Sequence, residues 1–357
     1  DNLYYSLSSA VSGASSGNVL ELWPGTYKEN VEVTTKIAIV GAGTTRTIID
    51  GRYRGPAIKF YNTASDYSSV KNLRVTHSAN QSSTCQTGTG YGGAIYSIYS
   101  HFLTIDNVHF FETYIGFMSC YSYDNKILNS EFDRGSISSN YAGIYIYGGY
   151  KHEIKNNEIT KYSYGIYIYY DNYGSHYYNN SIHNNTNYGI YMKNSASGSY
   201  PSDPLIFEKN SLADNYYGFY KGDTSSSYGR YVQFKDNLVK SNSYYGVYCY
   251  YYCQDWKIEN NTFDGDNDQT YGWYTYRYQY RAEFGNNTFS DHTSKDIHLQ
   301  YCGTGTNANK FFYNTYSDIQ VSSNCQVDVY NNLNVKTVEE DSDAFSNVEI
   351  EIKDSSK

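Results

Sequence analysis

Two short phrases alternate down most of this chain, and their spacing decides what it can fold into. One is glycine, an apolar residue, tyrosine, any residue and often a second tyrosine; it starts at Gly143, Gly165, Gly189, Gly218, Gly246 and Gly272. Gly116 opens a forerunner and Asp296 a degenerate copy. The other phrase is apolar, two residues, asparagine, one residue, apolar. It ends at Ile159, Ile182, Leu212, Val239, Phe263, Phe289 and Tyr316, with weaker copies ending at Phe110 and Phe132. Each phrase returns every 22 to 30 residues, and self-similarity at such a period marks a solenoid. Apolar and polar residues alternate with a period of two, so the units are strands. No repeat has room for a helical segment of about ten residues, and a propeller blade needs about 40. The sequence predicts an all-β fold, a β-solenoid of about ten or more coils.

In stacked coils the second phrase aligns Asn157, Asn180, Asn210, Asn237, Asn261, Asn287 and Asn314 at one turn. Asparagine tolerates left-handed backbone there, and its amide can bond the amides above and below. A binding ladder is the functional alternative; a structural ladder is the expectation. The glycine before each tyrosine phrase is read as a sharp bend.

The composition fits an ordered, secreted chain. Its 357 residues include 47 Tyr, and the aromatic fraction of 18% outweighs the polar mean hydropathy of −0.66 as a sign of order. A net charge of −9 without a basic cluster excludes nucleic acid as a partner. No stretch approaches the about 20 apolar residues of a transmembrane segment. Asp1 leads directly into patterned sequence, as in a processed mature chain. Six cysteines suit disulfides: Cys302 with Cys325, Cys85 with Cys120, and Cys249 with Cys253 as a tight local loop. Sequons at Asn80, Asn179, Asn184, Asn260 and Asn286 make the chain a candidate glycoprotein. The expected location is extracellular, at the cell surface. The Tyr- and Asn-rich, Met-poor style suggests an archaeal source.

The start of the chain adds a further signal. AVSGASSGNVLELWPGTYKENVEV is followed by IVGAG and then TIIDG. With the repeats, this order resembles the right-handed parallel β-helix superfamily, and within it the NosD-like carbohydrate-binding and sugar-hydrolase repeats of secreted microbial proteins. The resemblance spans about residues 3–334. It implies a right-handed parallel β-helix with a capping helix over residues 2–12, whose buried stripe is Leu3, Leu7 and Val11. The β-helix is assigned to residues 1–336. Residues 337–357 form an acidic linker and one isolated strand, with Val348, Ile350 and Ile352 on its apolar face.

The catalytic sets of polygalacturonases, pectate lyases, mannuronan epimerases and pectin methylesterases are not found. The nearest epimerase-like stretch, from Tyr217, lacks the Asp and His of that motif, and Gly25–Glu29 matches only an early methylesterase motif. The eight histidines are scattered, and no metal set is read from them. Asp264, Asp266 and Asp268 have the alternate spacing that wraps oxygen round calcium. Thr275 stands where the closing glutamate belongs, so a solvated acidic turn is expected over a structural calcium site, and no other cofactor is implied. The protein is therefore expected not to be an enzyme.

With the apolar residue of each tyrosine phrase inside, the tyrosines are expected to point outward. Tyr145, Tyr167, Tyr191, Tyr220, Tyr248 and Tyr274 form one column, and Tyr147, Tyr169, Tyr250 and Tyr276 a second. Such columns suit self-association or stacking on glycans. The main functional expectation is a structural protein that assembles with itself into a cell-surface layer or filament. The alternative is a polysaccharide-binding or polysaccharide-cleaving β-helix. The terminal strand, too short to stand alone, is expected to pair with a neighbouring subunit. On that reading, deleting residues 338–357 leaves a folded, soluble protein that no longer polymerises. Electron microscopy of the truncated chain checks this, and native assemblies formed without the segment refute it.

Overall fold

Apolar and polar residues alternate over only three to nine positions at a time, which makes short strands that must find hydrogen-bond partners in the next repeat. The computed structural model describes residues 3–78, 85, 93–137, 141–171, 173–193, 202–222, 230–322 and 325–330. Asn80 and residues 331–357, with Val348, Ile350 and Ile352, lie outside the described residues. The chain is an all-β parallel solenoid of about ten turns with one short helix at its start. It divides into two compact units, residues 1–171 and 172–357.

In the first unit a turn such as Lys126–Leu128, Glu131–Asp133 and Ala142–Tyr150 lies in parallel register on Glu153–Lys155, Glu158–Thr160 and Tyr164–Asp171. The register places Ile127 on Ile154, Phe132 on Ile159 and Ile144 on Ile166, all fully buried. The second unit repeats this arrangement. Phe207 aligns with Phe234, Leu212 with Val239 and Phe219 with Val247. Like side chains therefore stack on like. Phe110 lies on Phe132 and Phe263 on Phe289, each pair with ring centroids 4.4 Å apart. Each buried ring contributes about 1.5–3 kcal/mol. The three expected disulfides are present: Cys85–Cys120, Cys249–Cys253 and Cys302–Cys325.

The helix Leu7–Gly13 buries Leu7, Ala10 and Val11, but Leu3 is 84% exposed and lies outside it. Two contacts fix its start. Ser6 caps it by accepting a hydrogen bond from the Ser9 N–H, and Glu29 accepts the N–H groups of Leu7 and Ser8 at 2.9 and 2.7 Å. Glu29 closes the GTYKE stretch, so that motif serves the cap. Burial pushes the Glu29 carboxyl up, but bonds from the Ser8 hydroxyl and the two backbone N–H groups hold it below the usual carboxylate range.

In the second unit the asparagines form the expected ladder. The Nδ2 of Asn180, Asn210, Asn237, Asn261 and Asn287 each donates to the Oδ1 one coil on, ending at Asn314, over 2.8–3.0 Å. The same Oδ1 atoms also take a backbone N–H, as Asn237 does from Asn210. The left-handed backbone, however, sits one residue earlier, at Asn179, Lys209, Asp236, Asn260, Asn286 and Tyr313. The first residue of each pair bends the chain and faces solvent or its edge; the second is drawn inward, where only paired amides are tolerated. A second ladder, which the sequence reading missed, joins Asn185, Asn215, Asn242 and Gln269 over 3.0–3.2 Å.

The phrase-opening glycines also differ from expectation. Gly143 and Gly218 do not adopt positive φ. A Cβ on Gly143 would lie 2.5 Å from the Ile159 side chain, and one on Gly218 would lie 2.6 Å from the Gly246 carbonyl oxygen. Close approach of coils excludes a side chain there.

Replacing Asn237 by Ala removes partners from the Asn210 N–H groups, the Phe207 carbonyl and the Asn261 amide. The expected loss is about 2–4 kcal/mol. Asn260→Gly keeps the left-handed corner and should stay within about 0.5 kcal/mol. Chemical denaturation of the two variants side by side tests this division of labour.

Candidate functional site

In the first unit the strands Ser69–Thr76, Thr104–Phe111, Glu131–Asp133 and Glu158–Thr160 send Val75, Phe110, Phe132 and Ile159 into the core. The residue before each is turned outward. Parallel register brings these residues into one column, Arg74, His109, Glu131 and Glu158, on four successive coils. Two residues further along each strand lies a second column, Thr76, Phe111, Asp133 and Thr160.

The columns carry a shared electrostatic problem. Glu131 faces Glu158 in register, and His109 Nε2 lies 3.6 Å from Glu131 Oε1, too far for a hydrogen bond. Burial, then the Glu158 and Asp133 carboxylates, push the Glu131 carboxyl up against the opposing pull of Arg74 and Lys161. Burial and the Arg74 guanidinium push the His109 imidazole down to about 4. At neutral pH, His109 is therefore uncharged beside a carboxyl that holds its proton more tightly than usual. Arg74 lies over the Phe111 ring at 5.4 Å, and Lys161 pairs with Asp133 at 3.0 Å.

Three buried polar atoms on this face have no hydrogen-bond partner: Arg74 Nε, Thr76 Oγ1 and His109 Nε2. Such atoms are costly unless something completes them. They lie on two neighbouring coils, and His109 lines a depression of about 240 Å³ together with Asn107, Asn129, Glu131, Asn156 and Glu158 among others. At the far corner His77 bridges two coils, with Nδ1 3.0 Å from Asp50 Oδ1 and Nε2 3.2 Å from Glu112 Oε2. The face thus combines an acid, a neutral imidazole, a guanidinium, amides and an aromatic ring. That set can bind a polyhydroxylated ligand and move a proton to or from it.

The residues singled out from the sequence lie elsewhere. Tyr145 and Tyr167 are only 3% and 6% exposed, so these two do not point to solvent as expected. Their rings stack on each other at 4.8 Å, and Tyr141 packs edge-on against both. Tyr147 and Tyr169 pair at 4.9 Å, and burial helps push Tyr147 up to about 12. In the second unit Tyr191, Tyr220, Tyr248 and Tyr274 follow at 5.1–5.2 Å, and Tyr250 stacks on Tyr276 at 5.3 Å. These six are half-buried. A third column, Tyr188, Tyr217, Tyr245 and Tyr271, was not foreseen. Asp264 and Asp266 do not form a calcium loop: Lys240 reaches them at 3.1 and 3.6 Å and supplies the cation. Asp268 takes no part in that pair. Among the sequons, Asn179, Asn184, Asn260 and Asn286 are exposed at left-handed corners.

The histidines and glutamates were passed over because coils differ in length. The column steps by 35, 22 and 27 residues, so no fixed period reveals it. A signal was present nonetheless. The variable position before the last apolar residue of the second phrase is ionisable at His109, Glu131 and Glu158, but Ser181, Ser211, Leu238, Thr262 and Thr288 later.

A family model described as "Right handed beta helix region" matches residues 132–263. No curated protein matches the sequence. Similar solved structures include the A-module of the Azotobacter vinelandii mannuronan C-5 epimerase AlgE4, at 15% identity and a TM-score of 0.66, covering 93% of this chain and 94% of that one. The catalytic unit of a GH87 α-1,3-glucanase from Streptomyces thermodiastaticus matches at 13% identity and a TM-score of 0.57, covering 87% of this chain and 65% of that one. The Dettilon tailspike protein matches at 12% identity and a TM-score of 0.58, covering 87% and 61%. At such identities the likeness is one of fold, and the fold is the right-handed parallel β-helix. The expectation of a non-enzymatic protein is corrected here. An epimerase and a glucanase share this scaffold, so missing motif sets are no ground for excluding catalysis. No helix among the described residues is long and apolar enough to cross a membrane.

The depressed His109 sets a pH signature. The unfolded chain takes up a proton near pH 6.5 that folded His109 refuses until about 4. Its contribution is present above 6.5, falls as pH drops through that window, and is gone below about 4. The amount is at most about 3 kcal/mol. Raised Glu131 acts with the opposite sign just above the ordinary carboxylate range. His109→Gln should flatten the loss relative to wild type in urea titrations across that window.

Proposed function

We propose that this is an extracellular protein that binds a linear polysaccharide on the outward face of residues 69–76, 104–111, 131–133 and 158–160, and that His109 and Glu131 exchange protons with it. The supporting observation is the gathering of three unpartnered buried polar atoms around an acid–base pair. His109 is held neutral by burial and the Arg74 guanidinium, and the Glu131 carboxyl is pushed up by burial and its neighbouring carboxylates, so the two stand side by side as the groups that exchange protons with the ligand. Arg74 offers a guanidinium to an anionic substituent, a strong charge-assisted contact when bidentate. Phe111 gives the sugar an apolar wall. The polysaccharide-acting proteins on the same scaffold support the substrate class. Three disulfides support an oxidising compartment. Self-assembly through tyrosine faces is the weaker reading, because much of each ring is consumed by stacking on its neighbours.

The test is a polysaccharide panel containing mannuronan, α-1,3-glucan and other acidic and neutral chains. Binding is read by calorimetry. Proton transfer is read by NMR in heavy water as deuterium uptake at sugar carbons, alongside assays for new reducing or unsaturated ends. Wild type should act on at least one member, and His109→Gln or Glu131→Gln should lower the rate by about a hundredfold or more. Variants that match wild type, or a panel in which nothing binds, overturn the proposal.

A further inference from the structure

One cation of the second unit sits among aromatic rings, and no carboxylate of the described residues pairs with it. Arg277 closes the strand Tyr271–Arg277 and lies in register on Tyr251 of the coil before. Its guanidinium lies over three rings, Tyr276 at 5.1 Å and Tyr251 and Tyr301 at 5.7 Å each. Tyr301 belongs to the coil after, so rings from three successive coils meet at one planar cation. Four residues further on, Arg281 shows the contrast. Asp255 takes its Nε and Nη2 groups at 2.6 and 2.8 Å.

Contacts with ring faces consume none of the five N–H groups of a guanidinium. Among the described residues Arg277 uses one of them, Nη1, which donates to the Tyr251 hydroxyl oxygen at 3.2 Å. That hydroxyl, accepting from Arg277, keeps its own O–H to donate. Both groups are held in place. Cys249 and Cys253, fully buried and disulfide-bonded, tie both ends of the segment that carries Tyr251. Flanking it, Tyr250 stacks on Tyr276 at 5.3 Å and Tyr252 on Tyr278 at 4.7 Å. Tyr301, 50% exposed, leaves ring surface open beside the cation.

From this we infer that the Arg277 corner binds a sulfate ester carried on a sugar, at a single point and independently of the function proposed above. A sulfate ester has three terminal oxygens. Two fit the guanidinium fork, and the third takes the Tyr251 O–H. A carboxylate has only two, which the fork alone would occupy. One guanidinium balances the single charge of a sulfate ester. A phosphate ester carries about −1.5 to −2 near neutral pH, and the chain's net charge of −9 opposes the excess. Guanidinium is weakly hydrated, as is a sulfate ester, so pairing strips little water from either. The open ring of Tyr301 supplies a face for the sugar ring. No chain need lie along the coils, because one sugar residue fills the corner.

The test is an NMR titration of the whole chain with a glucose monosulfate, the matching monophosphate, glucuronate, glucose and inorganic sulfate. The monosulfate should bind about tenfold or more tighter than each of the others. Arg277→Lys keeps the charge and loses the fork, and Tyr251→Phe keeps the ring and loses the hydroxyl. Each should weaken the monosulfate about fivefold or more, with an unchanged melting temperature. Tyr301→Ala should bring the monosulfate down to the affinity of inorganic sulfate. Where a substitution lowers the melting temperature, the ranking of the five ligands on wild type decides. Glucuronate or the monophosphate binding as tightly as the monosulfate overturns the assignment. Inorganic sulfate matching the monosulfate, an adventitious ion only, does so too. Variants that bind as wild type does, or wild type that binds none of the five, overturn the site, and the polysaccharide panel above stands or falls on its own result.

Discussion

The buried amide ladder is the contact on which the rest of the second unit depends. A parallel solenoid has to turn its backbone inward at every coil, and each turn brings polar groups where water cannot follow. Asn210, Asn237, Asn261 and Asn287 meet that demand by accepting a backbone N–H and an amide N–H from one coil while donating to the next. A register slip of one residue would place an exposed corner side chain in the ladder and send the amide to solvent. The ladder therefore fixes register as well as contributing stability, and the stacked phenylalanines can meet ring on ring only because it does.

Fixed register turns sequence positions into columns, and each column acquires its own chemistry. On the strands that carry the tyrosine phrase, aromatic residues pack against each other column by column, which is why Tyr145 and Tyr167 are buried. On the strands that carry Arg74, His109, Glu131 and Glu158, one outward column is ionisable instead, and coil spacing sets Glu131 against Glu158. The raised Glu131 carboxyl and lowered His109 imidazole follow from that crowding together with burial. A solenoid gathers functional groups without folding a cleft: it repeats one position until the groups are neighbours.

The repeat made the fold legible, because Gly-apolar-Tyr and apolar-x-x-Asn-x-apolar are local patterns whose period survives small changes in coil length. The ladder asparagines were legible for the same reason, and the three disulfides from an even count of cysteines. The helix boundary was not, since Glu29, 21 residues or more from the N–H groups it accepts, sets where the helix begins. The site was not legible either. Arg74 and His109 are 35 residues apart, and only the folded register shows that they are neighbours. At Asp264 and Asp266 a spacing that would suit a metal is answered by Lys240 from the preceding coil, a partner that the local sequence does not show.

The corner described above has a consequence for reading modification signals. A left-handed asparagine, a buried ladder asparagine and an outward hydroxyl residue, written in order, spell Asn-Asn-Ser or Asn-Asn-Thr. Asn179, Asn260 and Asn286 each begin such a triplet. The scaffold's own grammar thus produces glycosylation acceptor signals wherever a strand resumes with serine or threonine, without any selection for sugar attachment. In a lineage that duplicates coils, acceptor signals multiply in step with the scaffold, and an enzyme that reads them meets a row of invitations spaced one coil apart.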